Sequence, residues 1–253
     1  FAGSVTLVGA GPGDPELITV KGKNILASSG YCIYTGSLIN PEILTYCRND
    51  TKKYDSSSMS LGDILSVMDE AKAQNEDVAR LHTGDPSIYG AIQEQMAELD
   101  KRGIPYEIVP GVSSFLAAAS ALKQELTLPG VSQTVVITRI EGRTPVPSTE
   151  SLENLAKTKA TLCIFLSIKQ INKIVEILKS EYGNTCPAAI VYKASWKDEK
   201  IIISNLENIA EEAKRARIVK TAMILVGKVL HKDFEYSKLY DKQFTHEYRK
   251  KTS

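Results

Sequence analysis

The chain has 253 residues, enough to bury a substantial core as one large domain or as two moderate ones. Hydrophobic residues make up 43% of it and charged residues 24%, an ordinary composition for a folded protein that excludes intrinsic disorder. The formal net charge of +1 gives no electrostatic reason to expect a nucleic acid or an anionic membrane as partner.

Short apolar strands alternate with helical patterns in the first half of the chain. Strand-like runs occupy residues 5–8, 31–34, 78–82, 106–109 and 134–138. Helical spacing occupies residues 16–28, 41–48, 61–74, 91–102 and 114–122. This alternation predicts βαβ units, and therefore a mostly parallel sheet with helices on both faces.

A segment rich in proline, glycine and small polar residues follows at 140–151, and we place a domain linker there. A second alternation follows it, with strands expected over 160–166, 188–192, 201–204 and 223–229 and helices over 171–178 and 209–216. We therefore expect two α/β domains, at 1–139 with a mostly parallel sheet and at 152–230 with a mixed sheet, and an active-site cleft between them. Residues 231–253 are expected to form a polar tail.

Cysteine and histidine are too scattered to predict a metal site. The four cysteines lack C-x-x-C spacing and the three histidines lie far apart, so we expect no zinc. Cys32 and Cys163 lie in apolar strand-like runs, as core thiols of a reducing compartment do, which favours the cytoplasm. No apolar run has the length of a membrane span.

The triplet Gly-Asp-Pro occurs twice, at 13–15 and at 84–86, each time after an expected strand. Glycine permits a tight turn, aspartate caps free helix N–H groups, and proline suits the first helical position. We therefore expect each triplet to begin a helix. A third glycine turn, at Pro110-Gly111, follows the strand at 106–109. Because ligands bind outside the carboxyl ends of strands in open α/β sheets, the three turns together predict a ligand site.

A dinucleotide site is the first alternative for these turns, because Gly9-Ala10-Gly11 follows a strand. The third glycine of G-x-G-x-x-G falls on Asp14, a negative charge where pyrophosphate would bind, and Pro12 removes a backbone donor. The second strand also lacks the acidic residue that holds a ribose. Gly22-Lys23 does not complete a P-loop. Neither nucleotide site is therefore expected.

Three stretches, VGAGPGDPELIT at 8–19, TGDP at 83–86 and VPGVSS at 109–114, resemble the tetrapyrrole methyltransferases. Residues 34–42, 85–91 and 125–134 resemble the branch of that family that methylates ring carbon 11 of precorrin-4. The resemblance implies an enzyme that uses S-adenosylmethionine on a tetrapyrrole in cobalamin biosynthesis, works as a homodimer, and needs neither nucleic acid nor a membrane. A sister-branch precorrin or uroporphyrinogen methyltransferase and a non-catalytic tetrapyrrole-binding module remain as alternatives.

The resemblance also implies the residues of the site. Contacts to the cofactor are expected from Pro12, Thr83, Gly84, Asp85, Ile88, Ser113, Ser114, Leu166, Ala194, Thr221 and Ala222. Asp85 is the candidate catalytic residue, as an acceptor for the cofactor's ammonium, and its other interpretation is a cap. Arg139 and Arg143 are expected to bind substrate carboxylates, and the further candidates are Arg80, Lys193 and Lys197. Two interpretations remain open for His82, a proton shuttle or a structural residue. Two also remain open for Trp196, stacking on the macrocycle or a structural role. No general base is assigned.

Overall fold

The computed structural model describes residues 3–231. They form two compact units, the first comprising residues 3–117 with 194–198 and the second residues 118–193 with 199–231. No helix within the described range combines the length and the apolar character that a membrane span requires.

The first unit contains a five-stranded sheet in which every neighbouring pair is parallel. Its strands are β1 (Val5–Gly9), β2 (Tyr31–Tyr34), β3 (Lys52–Asp55), β4 (Val78–His82) and β5 (Tyr106–Val109), in the spatial order β3-β2-β4-β1-β5. Its helices are α1 (Val20–Ser28), α2 (Leu61–Ala73), α3 (Gln93–Arg102) and α4 (Ser114–Ala121), the last of which continues into the second unit. The carboxyl ends of all strands in this sheet therefore lie at one edge.

The second unit contains a mixed five-stranded sheet. Its strands are β6 (Val135–Thr138), β7 (Thr161–Ile164), β8 (Pro187–Tyr192), β9 (Lys200–Asn205) and β10 (Ala222–Val226), in the order β6-β7-β10-β8-β9. Only β6 and β7 pair in parallel, and the other pairs are antiparallel. Its helices are α5 (Leu152–Ala156), α6 (Ile171–Tyr182) and α7 (Ile209–Arg215). The predicted class, two α/β domains with a parallel and a mixed sheet, is confirmed.

Helix α2 shows how local sequence builds these elements. Ser60 caps it through a hydrogen bond from the Asp63 N–H, and the Asp63 carboxylate accepts the Ser60 N–H in return. Ile64, Leu65 and Met68 recur at helical spacing and pack into the same buried cluster as Leu7 of β1. Full burial of each such side chain contributes about 1.5–3 kcal/mol to folding, so this face fixes the helix on the sheet.

Opposite faces of the first sheet cover separate cores, because successive strand side chains point to opposite sides. Leu7 packs into the cluster beside α2, whereas Val8 packs with Leu26 of α1. The second unit has its own core, which includes Ile174 and Leu178 of α6. All four cysteines are buried as free thiols, and for Cys32 and Cys163 this is what their apolar strand-like runs predict.

The division between the units differs from the predicted boundary at residue 139. Strand β6 pairs with β7 and so belongs to the second sheet. The segment expected to be a linker also belongs to the second unit, where the Ser167 hydroxyl accepts the Ile140 N–H and Gln170 donates to the Glu141 carbonyl. The pattern of β6 is that of any strand, and only its pairing partner assigns it to a sheet. Of the tail expected at 231–253, only His231 lies within the described residues.

Two short elements were not predicted, and one predicted helix is tighter than expected. Strand β3 is an edge strand of polar composition, and α5 is a short helix that begins directly after the expected linker at 140–151, so neither carries a clear period. The helix expected at 41–48 is the 3-10 helix Pro41–Tyr46, which Asn40 caps through the Glu42 N–H.

Candidate functional site

The ends of three neighbouring strands, β4, β1 and β5, lie side by side at the carboxyl edge of the first sheet. Gly9 is in register with His82, and Val8 with Val109. Because the pairing is parallel, the glycine turns after these strands emerge next to one another. The ligand site expected from the turns therefore lies at one edge.

The turns that follow β1 and β4 are joined by their backbones. Gly11 donates to the Gly84 carbonyl at 3.2 Å, and Gly84 donates to the Gly11 carbonyl at 2.8 Å. Both residues have left-handed backbones, with φ of 78° and 65°, which glycine adopts without strain. This isolated bridge therefore holds the chain just before the first Gly-Asp-Pro triplet against the first residue of the second triplet.

Gly9 and Gly111 bring the third turn into the same cluster. A Cβ on Gly9 would lie 2.5 Å from the Gly111 nitrogen, and a Cβ on Gly111 would lie 2.2 Å from the Gly84 carbonyl oxygen. Only glycine fits at either position, since backbone atoms occupy the space of a side chain. These two glycines allow the turns to pack on one another.

Asp85 links the second turn to the third. Its Oδ1 accepts the Ser87 N–H at 2.8 Å, and its Oδ2 accepts the Gly111 N–H at 2.8 Å. Both carboxylate oxygens therefore hold backbone donors, one in the turn that follows Asp85 and one in the turn after β5. Asp14 caps the 3-10 helix Pro15–Leu17 through the Glu16 N–H, as expected for the first triplet.

The second triplet does not begin a helix, which corrects the expectation for it. Residues 86–89 form a turn, and α3 begins only at Gln93. In this segment Tyr89 and Ala91 have left-handed backbones, with φ of 55° and 48°, a conformation that costs energy for residues other than glycine. The second turn therefore leads into a strained loop, and the hydrogen bonds of Asp85 help to hold it in that conformation.

The remaining expected cofactor residues of the first unit surround these turns. Thr83 is exposed, and its hydroxyl donates to the Leu38 carbonyl at 3.4 Å. Ser113 is buried and its carbonyl accepts the Leu116 N–H at the start of α4, whose first residue is Ser114. Four further expected residues lie at or near the turns: Pro12 and Ala194 are buried, and Ile88 and Ser114 are half-buried.

Arg80 and His82 of β4 are buried polar residues beneath the edge. Arg80 is 6% exposed and donates to Ser56 Oγ at 3.0 Å and to Gln95 Oε1 at 3.3 Å, so it does not lie in an open trough for substrate carboxylates. Burial lowers the pKa of Arg80 to about 10. Burial, followed by the charge of Arg80, lowers the pKa of His82 to about 3. Burial and the neighbouring Arg80 therefore keep His82 neutral at physiological pH.

Three expected cofactor residues of the second unit lie at one end of its sheet. Ile164 is in register with Ile224 in the antiparallel pair of β7 and β10, which brings the chain just after β7 beside the start of β10. Leu166 follows β7, and Thr221 and Ala222 lie at the start of β10. Leu166 and Thr221 have left-handed backbones, with φ of 55° and 52°, and Leu166 is 75% exposed. An exposed leucine in a strained conformation is a feature of binding sites rather than of cores.

The two arginines expected to bind substrate have different surroundings. The Arg139 guanidinium donates to the carbonyls of Ile140, Thr144 and Pro145, the last at 2.8 Å, so it folds back on its own loop. Arg143 lies exposed within that loop. Only Arg143 therefore presents its charge without holding the loop together.

Two residues contact the first turn in a way that the sequence did not predict, although Trp196 was itself a candidate. Asn40 donates from Nδ2 to the Gly13 carbonyl at 2.9 Å, and Trp196 donates from Nε1 to the Pro12 carbonyl at 2.9 Å. The Asn-Pro pair at 40–41 signals a cap but not a long-range contact. Trp196 lies against the first turn, so its structural role is observed.

Comparison with known proteins gives one family. The family of tetrapyrrole (corrin/porphyrin) methylases matches residues 4–210. A cobalt-precorrin-4 C(11)-methyltransferase from Methanocaldococcus jannaschii is 55% identical over 248 residues, which are 97% of this chain and 96% of that protein.

Solved structures agree with this match. A cobalamin biosynthetic enzyme, cobalt precorrin-4 methyltransferase, superimposes with a TM-score of 0.89 at 40% identity, over 91% of this chain and 97% of the other. A uroporphyrin-III C-methyltransferase from Thermus thermophilus, solved with S-adenosyl homocysteine, has a TM-score of 0.75 at 26% identity, over 90% of this chain and 93% of the other.

Proposed function

The chain belongs to the family of tetrapyrrole (corrin/porphyrin) methylases, and from this premise we propose that it is an S-adenosylmethionine-dependent C-methyltransferase acting on precorrin-4 or cobalt-precorrin-4. The methyl group goes to ring carbon 11, a step of cobalamin biosynthesis. The observation that carries the proposal is the 55% identity with a cobalt-precorrin-4 C(11)-methyltransferase over 97% of the chain.

The strand edge of the first unit fits such a cofactor. A Cβ at Gly84 would stand 3.5 Å from the Ser113 Cα, so the turn after β5 packs directly against this glycine. The exposed Thr83 hydroxyl and the main chain of the neighbouring turns offer hydrogen-bonding groups at the same place. We therefore retain Pro12, Thr83, Gly84, Ile88, Ser113 and Ser114 as proposed cofactor residues of this unit, together with Ala194.

Methyl transfer requires the protein to position the cofactor and the substrate more than to supply acid or base groups. When bound, S-adenosylmethionine supplies both the electrophilic methyl and its leaving group. The packing of the three turns on one another holds the binding backbone in place, and we propose that apolar neighbours such as Ile88 exclude water. Asp85 accepts two backbone N–H groups, so we propose that it acts through the shape of the turns. Leu166, Thr221 and Ala222 stay predicted contacts.

The compartment and the assembly are further parts of the proposal. Four buried free thiols are typical of a reducing compartment, which supports the cytoplasm. A homodimer is expected from the family resemblance. Light scattering of the purified protein measures its mass in solution, and a monomeric mass at all concentrations contradicts the homodimer.

The decisive experiment supplies a labelled methyl donor. Purified protein is incubated with methyl-labelled S-adenosylmethionine and either precorrin-4 or cobalt-precorrin-4, and the product is examined by mass spectrometry and NMR. We expect one added methyl, located on ring carbon 11, with the faster turnover identifying the metal state of the substrate. Uroporphyrinogen III is the matched control and is expected to stay unmethylated.

Two results contradict the proposal. A label on another ring carbon, or rapid methylation of uroporphyrinogen III, assigns the protein to a sister branch. Binding of S-adenosylhomocysteine without methylation of any tetrapyrrole assigns it to the non-catalytic alternative.

A further inference from the structure

The segment Ala194–Asp198 lies between β8 and β9 in sequence but packs with the first unit. Its contacts fall on the first glycine turn. Trp196 Nε1 donates to the Pro12 carbonyl at 2.9 Å, and Ser195 Oγ accepts the Asp14 N–H at 3.0 Å. The segment therefore binds the turn through main-chain groups on both sides of Gly13.

The indole ring of Trp196 packs directly against Gly13. A Cβ at this position would lie 2.1 Å from two atoms of the Trp196 ring, so the ring covers the face of the glycine where a side chain would stand. The Gly13 carbonyl accepts a hydrogen bond from Asn40 at 2.9 Å. Side chains thus engage three successive residues of the turn, and two of those side chains come from the 194–198 segment.

A turn rich in glycine has many backbone conformations open to it, and ordering it costs conformational entropy at each residue. Partners that hold it before a ligand arrives remove part of that cost from binding. The indole is well suited to this, because it combines a large rigid surface with a single N–H donor. Ser195, with φ of 72°, shows that the segment itself is held in a left-handed conformation.

We propose that Trp196 is a positioning residue for the cofactor, holding the Pro12 carbonyl and the Gly13 backbone in the conformation that the bound cofactor requires. This inference rests on the proposed function, in which Pro12 contacts the cofactor. It assigns the indole to the turn and not to the tetrapyrrole macrocycle, since its N–H is used by Pro12 and its ring lies on Gly13.

The wild-type protein tests this directly, because Trp196 is the single tryptophan of the chain. Titration with S-adenosylhomocysteine is expected to shift the tryptophan emission with the same dissociation constant that calorimetry measures. Binding by calorimetry with unchanged emission overturns the inference. Absence of binding in the wild type instead contradicts the proposed function.

Two variants separate positioning from a general structural role. Trp196→Phe keeps most of the ring and loses the N–H donor, so S-adenosylhomocysteine binding is expected to weaken about 3- to 10-fold, the equivalent of one hydrogen bond. The KM for the tetrapyrrole is expected to stay unchanged. Lys197→Ala is the matched control from the same segment, since that side chain is 86% exposed and pairs only at the surface with Glu42.

The outcomes are distinct. Unchanged cofactor affinity in Trp196→Phe overturns the inference. A raised KM for the tetrapyrrole with unchanged cofactor affinity assigns the indole to the substrate. An equal loss of affinity in Lys197→Ala shows that the whole segment, and not Trp196, sets the turn.

Discussion

The Asp85 carboxylate accepts the backbone N–H of Gly111 at 2.8 Å and thereby ties the turn after β4 to the turn after β5. Its other oxygen accepts the Ser87 N–H. One side chain therefore stabilises its own turn and fixes the position of a neighbouring one. Substitutions at this cluster test whether turn geometry governs cofactor binding.

Asp85→Ala is expected to lower stability by about 1.5–3 kcal/mol, since hydrogen bonds to a charged group are lost. It is also expected to weaken S-adenosylhomocysteine binding, because Gly111 loses the acceptor that positions its turn. Asp14→Ala is the matched control: it removes a cap with one N–H, and about 1 kcal/mol of stability. Thermal unfolding and calorimetry measure both. A lower melting temperature with unchanged affinity in Asp85→Ala contradicts this account.

Gly111→Ala is expected to destabilise the protein by about 1–3 kcal/mol, because the new Cβ would lie 2.2 Å from the Gly84 carbonyl oxygen. Gly62→Ala provides the contrast in α2, where a Cβ would meet nothing closer than 3.6 Å. That substitution is expected to stabilise by about 0.5–1 kcal/mol through the helix. Equal melting temperatures for the two variants would falsify the close packing of the turns.

His82 makes stability depend on pH. Its pKa is about 3 in the folded chain, because of burial and then the charge of Arg80, whereas an unfolded histidine titrates near 6.5. The unfolded state therefore takes up a proton first, and the stability that neutral His82 provides is lost as the pH falls from about 6.5 towards about 3.

Between about pH 7.5 and about pH 5 the loss is about 2 kcal/mol. His82→Gln cannot titrate and is expected to show a smaller fall in melting temperature over the same interval. The wild type and the variant are compared by calorimetric scans at both pH values. Identical pH dependence in the two proteins contradicts the buried neutral imidazole.

Arg143→Ala is expected to raise the KM for the tetrapyrrole while leaving stability and S-adenosylhomocysteine affinity unchanged, since the side chain is exposed. Arg139→Ala is expected to loosen the loop as well, because the Arg139 guanidinium donates hydrogen bonds to three of the loop's carbonyls. Limited proteolysis distinguishes the two variants, since faster cleavage within residues 140–145 is expected only for Arg139→Ala. An unchanged KM in Arg143→Ala removes it from the substrate site.

Leu166→Gly is expected to stabilise the second unit by up to about 1 kcal/mol, since glycine relieves a left-handed backbone and the side chain is 75% exposed. It is also expected to weaken cofactor binding if Leu166 contacts the cofactor. Lys159→Gly is the control, with φ of 52° at an exposed position outside the expected site. Equal affinities in both variants count against Leu166 as a contact.

Much of the fold follows from local patterns. The strands β1, β2, β4 and β5 begin within a residue of the runs that predict them. For β1 and β2 the reason is that a buried parallel strand needs continuous apolar residues. The cap at Asp14 also follows from sequence, because its partner lies two residues away. Polar β3 was missed, since an edge strand needs no apolar run.

The sequence by itself therefore determined where strands end and glycine turns begin, because these depend on residues close together in the chain. Tertiary structure alone decided that Gly11 pairs with Gly84, that β6 joins the second sheet, and that Trp196 covers Gly13. Each of these contacts joins residues far apart in sequence, and no local period or turn signal specifies its partner. The two triplets look alike as sequence, but only the first begins a helix, whereas the second begins a turn whose Asp85 carboxylate also accepts the N–H of the distant Gly111.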